Sequence, residues 1–144
     1  MKYFLPLFLG TILATGSFAQ DAKQPSGSWY VEYSDVTNLV NPINGDALVY
    51  PSIGYTLVNN LMLHTSINGP TDYLDFNLGA RYFLGDVYTG VAVTDLFDYY
   101  QGSDLRVELG TYLGFKEIWY VTPRAHVDLG AGSISVGAGI GLRL

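Results

Sequence analysis

The 144-residue sequence contains no cysteine. That absence excludes disulfide stapling and rules out a lipid-bearing cysteine behind an export signal. Lysine is scarce as well, confined to Lys2, Lys23 and Lys116. Charge makes up only 14 % of the chain and leans acidic, with seven basic residues against thirteen acidic ones and a formal net charge of −6. Such a chain repels phosphate backbones, which excludes nucleic acid as a partner. Long Ala/Glu/Lys/Leu stretches are missing, whereas seventeen Gly and twelve Tyr favour strands joined by turns.

Apolar runs are short except at the start, MKYFLPLFLGTILATGSFAQ. Lys2, the run from Phe4 to Leu13 and the small-x-small spacing of Ser17 and Ala19 predict a signal peptide over 1–19. A single membrane-anchoring helix suits the stretch less well. It falls short of the ~20 residues a span requires, and Pro6 and Gly10 interrupt it. The expected mature chain has a periplasmic tail, QDAKQPSGS (20–28), followed by one domain over 29–144.

Within that domain the hydrophobic period is two residues almost throughout. It predicts eight strands, at 29–35, 47–57, 61–67, 73–83, 87–94, 105–114, 118–128 and 133–143. The connections VNN (58–60), LG (84–85) and FKE (115–117) are tight; DVTNLVNPING (36–46) and DLFDYYQGSD (95–104) are long. With both termini at one end, all the tight turns fall at that end and the longer loops at the other. Short periplasmic turns and long outer loops are the pattern of an eight-stranded up-and-down transmembrane β-barrel.

The two faces of these strands differ sharply. In DYLDFNLGARYFLGD (72–86), Leu74, Phe76, Leu78, Ala80 and Tyr82 alternate with Asp75, Asn77, Gly79 and Arg81. SISVGAGIGLR (133–143) repeats the division, with its aliphatic residues on one face and Ser, Gly and Arg143 on the other. A two-layer sandwich in water would also alternate. The arginines argue for an enclosed interior instead: Arg81, Arg106, Arg124 and Arg143 fall on the same face as Glu32, Asp75, Glu108 and Asp128, together with His64 and His126. Planar guanidinium groups paired to carboxylates suit such an interior better than lysine would.

Folding the sixth and seventh strands about Lys116 predicts Glu108 opposite Arg124, Arg106 opposite His126 and Tyr112 opposite Tyr120. A turn at Leu84 and Gly85 predicts Arg81 opposite Tyr88 and Gly79 opposite Gly90, while His64 is expected opposite Gly54. On the outer face, Trp29, Tyr55, Tyr82 and Trp119 are expected as an aromatic girdle near the periplasmic rim. Pro51 and Pro123 each remove a ladder donor and are expected at a rim, a bulge or a locally broken pair.

With these features the chain resembles the small outer-membrane β-barrel proteins of Gram-negative bacteria, the OmpX/OmpA-barrel and opacity-type family. The resemblance runs from about Trp29 to Leu144. It is carried by YPSIGYTLVNNLML (50–63), FNLGARYFLG (76–85), LGTYLGFKEIWYVTPRAHVDLG (109–130) and the closing SVGAGIGLRL. It implies an outer-membrane location, contact with membrane lipid and lipopolysaccharide, insertion by the barrel assembly machinery, and no cofactor. The family usually ends in an aromatic residue, where this chain has Leu144.

Among the roles this resemblance implies, a structural or surface-interaction barrel is preferred. An eight-stranded interior is only wide enough to be filled by its own side chains, so a small-solute channel is the weaker alternative. A soluble exported ligand-binding β-protein would share the alternation. Hydrolase chemistry from His126, Asp128 and Ser133 or Ser135 is disfavoured because these residues point inward, and no catalytic residue is assigned. No metal site is assigned either, since His64 and His126 lie on separate strands without ligand spacing. The candidate contact surface is the outer loop, where Asp95, Phe97, Asp98, Tyr99, Tyr100 and Asp104 combine apolar area with charge and could engage an extracellular partner.

Overall fold

The computed structural model describes residues 24–33, 51–68, 75–97, 102–115 and 118–144. Its strands are β1 (Trp29–Tyr33), β2 (Pro51–Val58), β3 (Leu61–Asn68), β4 (Asp75–Leu84), β5 (Val87–Thr94), β6 (Asp104–Thr111), β7 (Leu113–Phe115), β8 (Trp119–Asp128) and β9 (Ser133–Arg143). β6 and β7 are two arms of one strand interrupted at Tyr112, so the sheet has eight staves. Every described pairing is antiparallel. The order β6-β5-β4-β3-β2-β1-β9-β8-β7, with β6 also paired to β8, closes the sheet into an up-and-down barrel. The predicted positions 34–35, 47–50, 73–74 and 116–117 lie outside the described residues.

The interruption has a local cause. Continuing the β6–β8 and β7–β8 registers would put Thr111 and Tyr112 against Pro123 and Thr122, and the ladder lapses there. Pro123 has no amide hydrogen to contribute. On the opposite side the register with β5 is unbroken: the Tyr112 amide donates to the Asp86 carbonyl at 2.7 Å. Pro51 opens β2 opposite Tyr33, at the end of the described β1–β2 ladder.

Two predicted hairpins are shifted by two residues. Gly85 and Asp86 form the β4–β5 turn, with Gly85 at φ +70°, so Phe83 lies opposite Tyr88, Arg81 opposite Gly90 and Gly79 opposite Ala92. The β6–β8 register sets Glu108 opposite His126, Arg106 opposite Asp128 and Gly110 opposite Arg124, two residues on from the predicted pairing. A shift of two leaves each side chain on its assigned face. His64 does lie opposite Gly54.

Alternation is visible directly in the burial of β5 and β8, where exposed or half-buried residues alternate with buried ones. The polarity of the layers is inverted relative to a globular core. Ile53, Leu78, Leu109 and Val136 are 47 %, 54 %, 59 % and 77 % exposed, while Glu32 and Arg81 are each 3 % exposed. Contiguous exposed aliphatic surface of this kind marks an interaction face.

Gln24 to Ser28, Leu144 and the turns at Asn59–Asn60 and Gly85–Asp86 share one end, here the turn end; Thr94, Asp104 and the β8–β9 turn lie at the other, the loop end. The stretch expected as a free tail is docked from Gln24 onward. The Gly27 amide donates to the Thr56 carbonyl at 2.8 Å and the Asn60 amide to the Gln24 carbonyl at 2.9 Å. The Ser26 amide donates to Asn59 Oδ1 at 3.0 Å. These bonds cap the turn end of the barrel.

Candidate functional site

The barrel interior is the candidate site, and it is layered. At the turn end, Tyr30, Met62, Phe83, Tyr88, Tyr112 and Tyr120 form a buried cluster. Tyr112 sits at its centre: its ring stacks on Tyr120 at 4.6 Å and meets Phe83, Tyr88 and Tyr30 edge-on at 5.0, 5.5 and 5.8 Å. Tyr30 donates its hydroxyl hydrogen to Gln24 Oε1, tying the docked segment to this cluster. Offset and edge-on arrangements bring the positive edge of one ring to the negative face of another.

Above the rings lies the charge layer. Arg124 Nη1 donates to Glu32 Oε1 at 2.6 Å, and Arg81 Nε donates to Glu108 Oε2 at 2.9 Å. Arg81 Nη1 lies 3.5 Å from Glu32 Oε2, linking the two pairs. The Tyr112 hydroxyl accepts from Arg81 Nη1 at 3.1 Å and donates to Glu32 Oε2 at 3.3 Å, joining this layer to the aromatic one. Arg81 also places its guanidinium 4.9 Å from the Tyr88 ring centre. Alternating cations and carboxylates lower the cost of desolvating each other, the condition under which charge can remain buried. Glycines make the space: a Cβ on Gly139 would come within 2.6 Å of both Glu32 Oε1 and Thr122 Oγ1.

At the loop end the interior opens into a cavity of about 450 Å³ lined by Thr94, Asp95, Asp104, Arg106, Asp128 and neighbouring loop residues. Arg106 holds Asp128 with a fork, Nε to Oδ1 at 2.6 Å and Nη2 to Oδ2 at 3.3 Å. Asp104 accepts backbone hydrogen bonds from Leu105 and Gly130 at 2.7 Å and from Ala131 at 3.3 Å. Among the described residues, two of the three acidic groups that line this cavity are thus already engaged.

The residues proposed for a luminal network therefore occupy different levels. Glu32, His64, Arg81, Glu108, Arg124 and His126 are buried, and close contacts join Glu32, Arg81, Glu108 and Arg124 into one cluster that His64 approaches to 4.0 Å at Glu108. Arg106 and Asp128 form a separate pair in the mouth. Arg143 stands exposed at the turn end opposite Tyr30. Asp75 opens β4 opposite Asn68, and its side chain lies outside the described residues.

Of the girdle candidates, Trp29 and Trp119 are 50 % and 40 % exposed, and Trp29 meets Tyr55 with ring centres 4.7 Å apart. Tyr82 differs: on the same outward parity, it is 8 % exposed and so covered, where the two tryptophans are open. Phe115, which the girdle reading passed over, lies beside Trp119 with ring centres 6.4 Å apart. In the loop, Asp98, Tyr99 and Tyr100 lie outside the described residues.

The register brings some of the groups that suggested hydrolase chemistry together and ties one of them to Arg106. Asp128 is held by Arg106, while His126 and Ser135 are register neighbours on β8 and β9. A second histidine–serine pair, His64-Thr65-Ser66, is also present on β3. Ser66 Oγ accepts from Asn77 Nδ2 at 3.1 Å, and neither His64 nitrogen has a hydrogen-bond partner. No base–nucleophile hydrogen bond joins His64 to Ser66.

No family model matches the sequence, and no curated protein sequence is significantly similar to it. Solved structures do share the fold. The N-terminal β-barrel domain of Pseudomonas aeruginosa OprF superposes with a TM-score of 0.62 at 19 % identity, over 84 % of this chain and 100 % of that one. A de novo designed transmembrane β-barrel superposes with a TM-score of 0.50 at 14 % identity, over 85 % of this chain and 97 % of the design.

Proposed function

We propose that this chain is an exported outer-membrane barrel with a closed interior, serving a structural or surface-interaction role without catalysis or conduction. The observation that carries the reading is the inverted polarity: charges buried in the lumen, aliphatic residues exposed around it. In hydrocarbon such an exterior costs nothing, and the closed ladder satisfies the backbone groups that an open edge would leave unpaired. The turn end would then be periplasmic and the loop end extracellular. The aromatic and ionic layers fill the cross-section that a channel would need open.

One of the similar structures is described as a β-barrel domain and the other as a designed transmembrane β-barrel, which supports this reading of the exterior. Lipid and lipopolysaccharide would surround the belt, and the cell's barrel assembly machinery would insert the chain after removal of residues 1–19.

The test is expression of the full precursor in a Gram-negative host. A band in isolated outer membranes that resists alkaline extraction and changes mobility on boiling is expected, with an intact mass starting at Gln20. The purified protein should give no unitary current steps in planar bilayers. Release as a soluble protein, beside a control barrel that inserts normally, would overturn the membrane reading. Reproducible current steps would replace the closed barrel with a small-solute channel.

A further inference from the structure

The segment that follows β5 was expected to offer its aromatic residues to an extracellular partner, but its described part is turned onto the barrel wall. Asn77 lies inside the barrel, 3 % exposed, held through Nδ2 by Ser66 Oγ. Its Oδ1 accepts the Asp95 amide at 3.1 Å. Asp95 adopts φ +56°, a left-handed conformation that kinks the chain at the end of β5. The Leu96 amide then donates to the Phe76 carbonyl at 3.0 Å. Phe97 meets the outward-facing ring of Phe76 edge-on, with centres 5.6 Å apart.

Phe97 is left 76 % exposed, next to Phe76 at 37 % and Leu96 at 39 %, and Leu78 one step further along β4 is 54 % exposed. The patch is therefore continuous with the aliphatic belt below it, while Asp95 on the other side of the turn lines the polar mouth. One turn thus separates a wet face from an oily one. Aromatic side chains at such a height favour the boundary between hydrocarbon and headgroups.

We propose that Leu96 and Phe97 form an outer-leaflet anchor: with Phe76 they enter the lipid boundary at the extracellular rim, and Asn77 positions them by holding the Asp95 turn. Lipid acyl chains and the headgroup boundary are the partner of this surface, rather than a protein approaching from water. The inference rests on the membrane reading of the barrel and adds a depth for one loop.

Because the chain has no cysteine, single nitroxide labels can be placed cleanly. Phe97→Cys, Val91→Cys and Ser103→Cys variants of the full mature chain, folded into phosphatidylcholine vesicles, would be compared by spin-label collision with oxygen and with a water-soluble nickel chelate. Val91 belongs to the belt and Ser103 to the exposed loop. A high oxygen-to-nickel ratio at 97, close to that at 91 and well above that at 103, is the expected result. A ratio at 97 matching that at 103, with 91 still in lipid, would overturn the anchor and leave the barrel intact, returning Phe97 to a partner in water. If 91 also reports water, the membrane reading and the anchor fall together.

Discussion

Arg124 on β8 and Glu32 on β1 are 92 residues apart in sequence, yet their side chains meet at 2.6 Å across the lumen with neither reaching solvent. Removing one partner strands the other's charge in a closed space. Glu32→Ala is expected to cost about 3–5 kcal/mol, the range for breaking a buried pair. Asp128→Ala in the mouth, where the side chains of the Arg106 pair retain 22 % and 16 % exposure, should fall nearer the ~1 kcal/mol of solvent-reachable pairs. Urea unfolding of both variants in the same lipid, followed by loss of heat-modifiable mobility, measures the difference; equal losses would refute the layering.

Gly79 on β4 is crowded from both neighbouring strands, by His64 of β3 and by Val91 and Ala92 of β5. A Cβ there would lie 2.7 Å from the Val91 carbonyl oxygen and 2.8 Å from Ala92 Cβ, contacts made with backbone and a short side chain that cannot swing aside. Overpacking of this kind costs about 1–3 kcal/mol. Gly114 has nothing within 4 Å of the corresponding point. Gly79→Ala should therefore lower the urea midpoint, while Gly114→Ala leaves it nearly unchanged.

The contrast between these glycines shows what the sequence could and could not reveal. Period-two alternation was enough to put Gly79, Arg81 and Glu108 on the inner face, because a side chain's face depends only on its parity along the strand. Who meets whom depends on the turn. Reading the β4–β5 turn one position early put Arg81 opposite Tyr88 where the structure has Gly90, although the guanidinium still reaches the Tyr88 ring on the diagonal. Tyr82 was misjudged because parity gives direction and not cover. The docking of Gln24 was illegible for another reason: the Asn60 amide meets its backbone carbonyl, which leaves no trace in residue type, and the side-chain bond from Tyr30 only adds to it. The aromatic layer had a signal. Tyr30, Tyr88 and Tyr120 share parity with the inner charges and lie close to the tight turns, which a girdle of outward rings does not explain.

Asp104 joins the start of β6 to the β8–β9 connection by accepting amides from Gly130 and Ala131. Both amides lie on exposed residues, so the carboxylate, not burial, is what shields them. Asp104→Ala should speed hydrogen exchange at Gly130 and Ala131 while leaving belt amides such as that of Val91 unchanged. Uniformly faster exchange would indicate loss of the fold instead of release of this connection.

Tyr112 combines two roles that a pair of substitutions can separate. Its ring fills the centre of the aromatic layer, while its hydroxyl joins Arg81 to Glu32. Tyr112→Phe keeps the ring and removes the bridge, an expected loss of about 1.5–3 kcal/mol for hydrogen bonds to charged groups. Tyr112→Ala removes the ring as well, and truncation of a large buried aromatic costs about 3–5 kcal/mol. Only the alanine variant creates space in the layer that bars passage. Planar-bilayer recordings should thus stay silent for the parent and for Tyr112→Phe and show current steps for Tyr112→Ala. Steps of similar size in all three would mean that ions pass by a route this ring does not block. Silence in all three, with Tyr112→Ala still folded, would place the barrier in the charge layer above it, where Arg81 and Arg124 already span the lumen between Glu32 and Glu108.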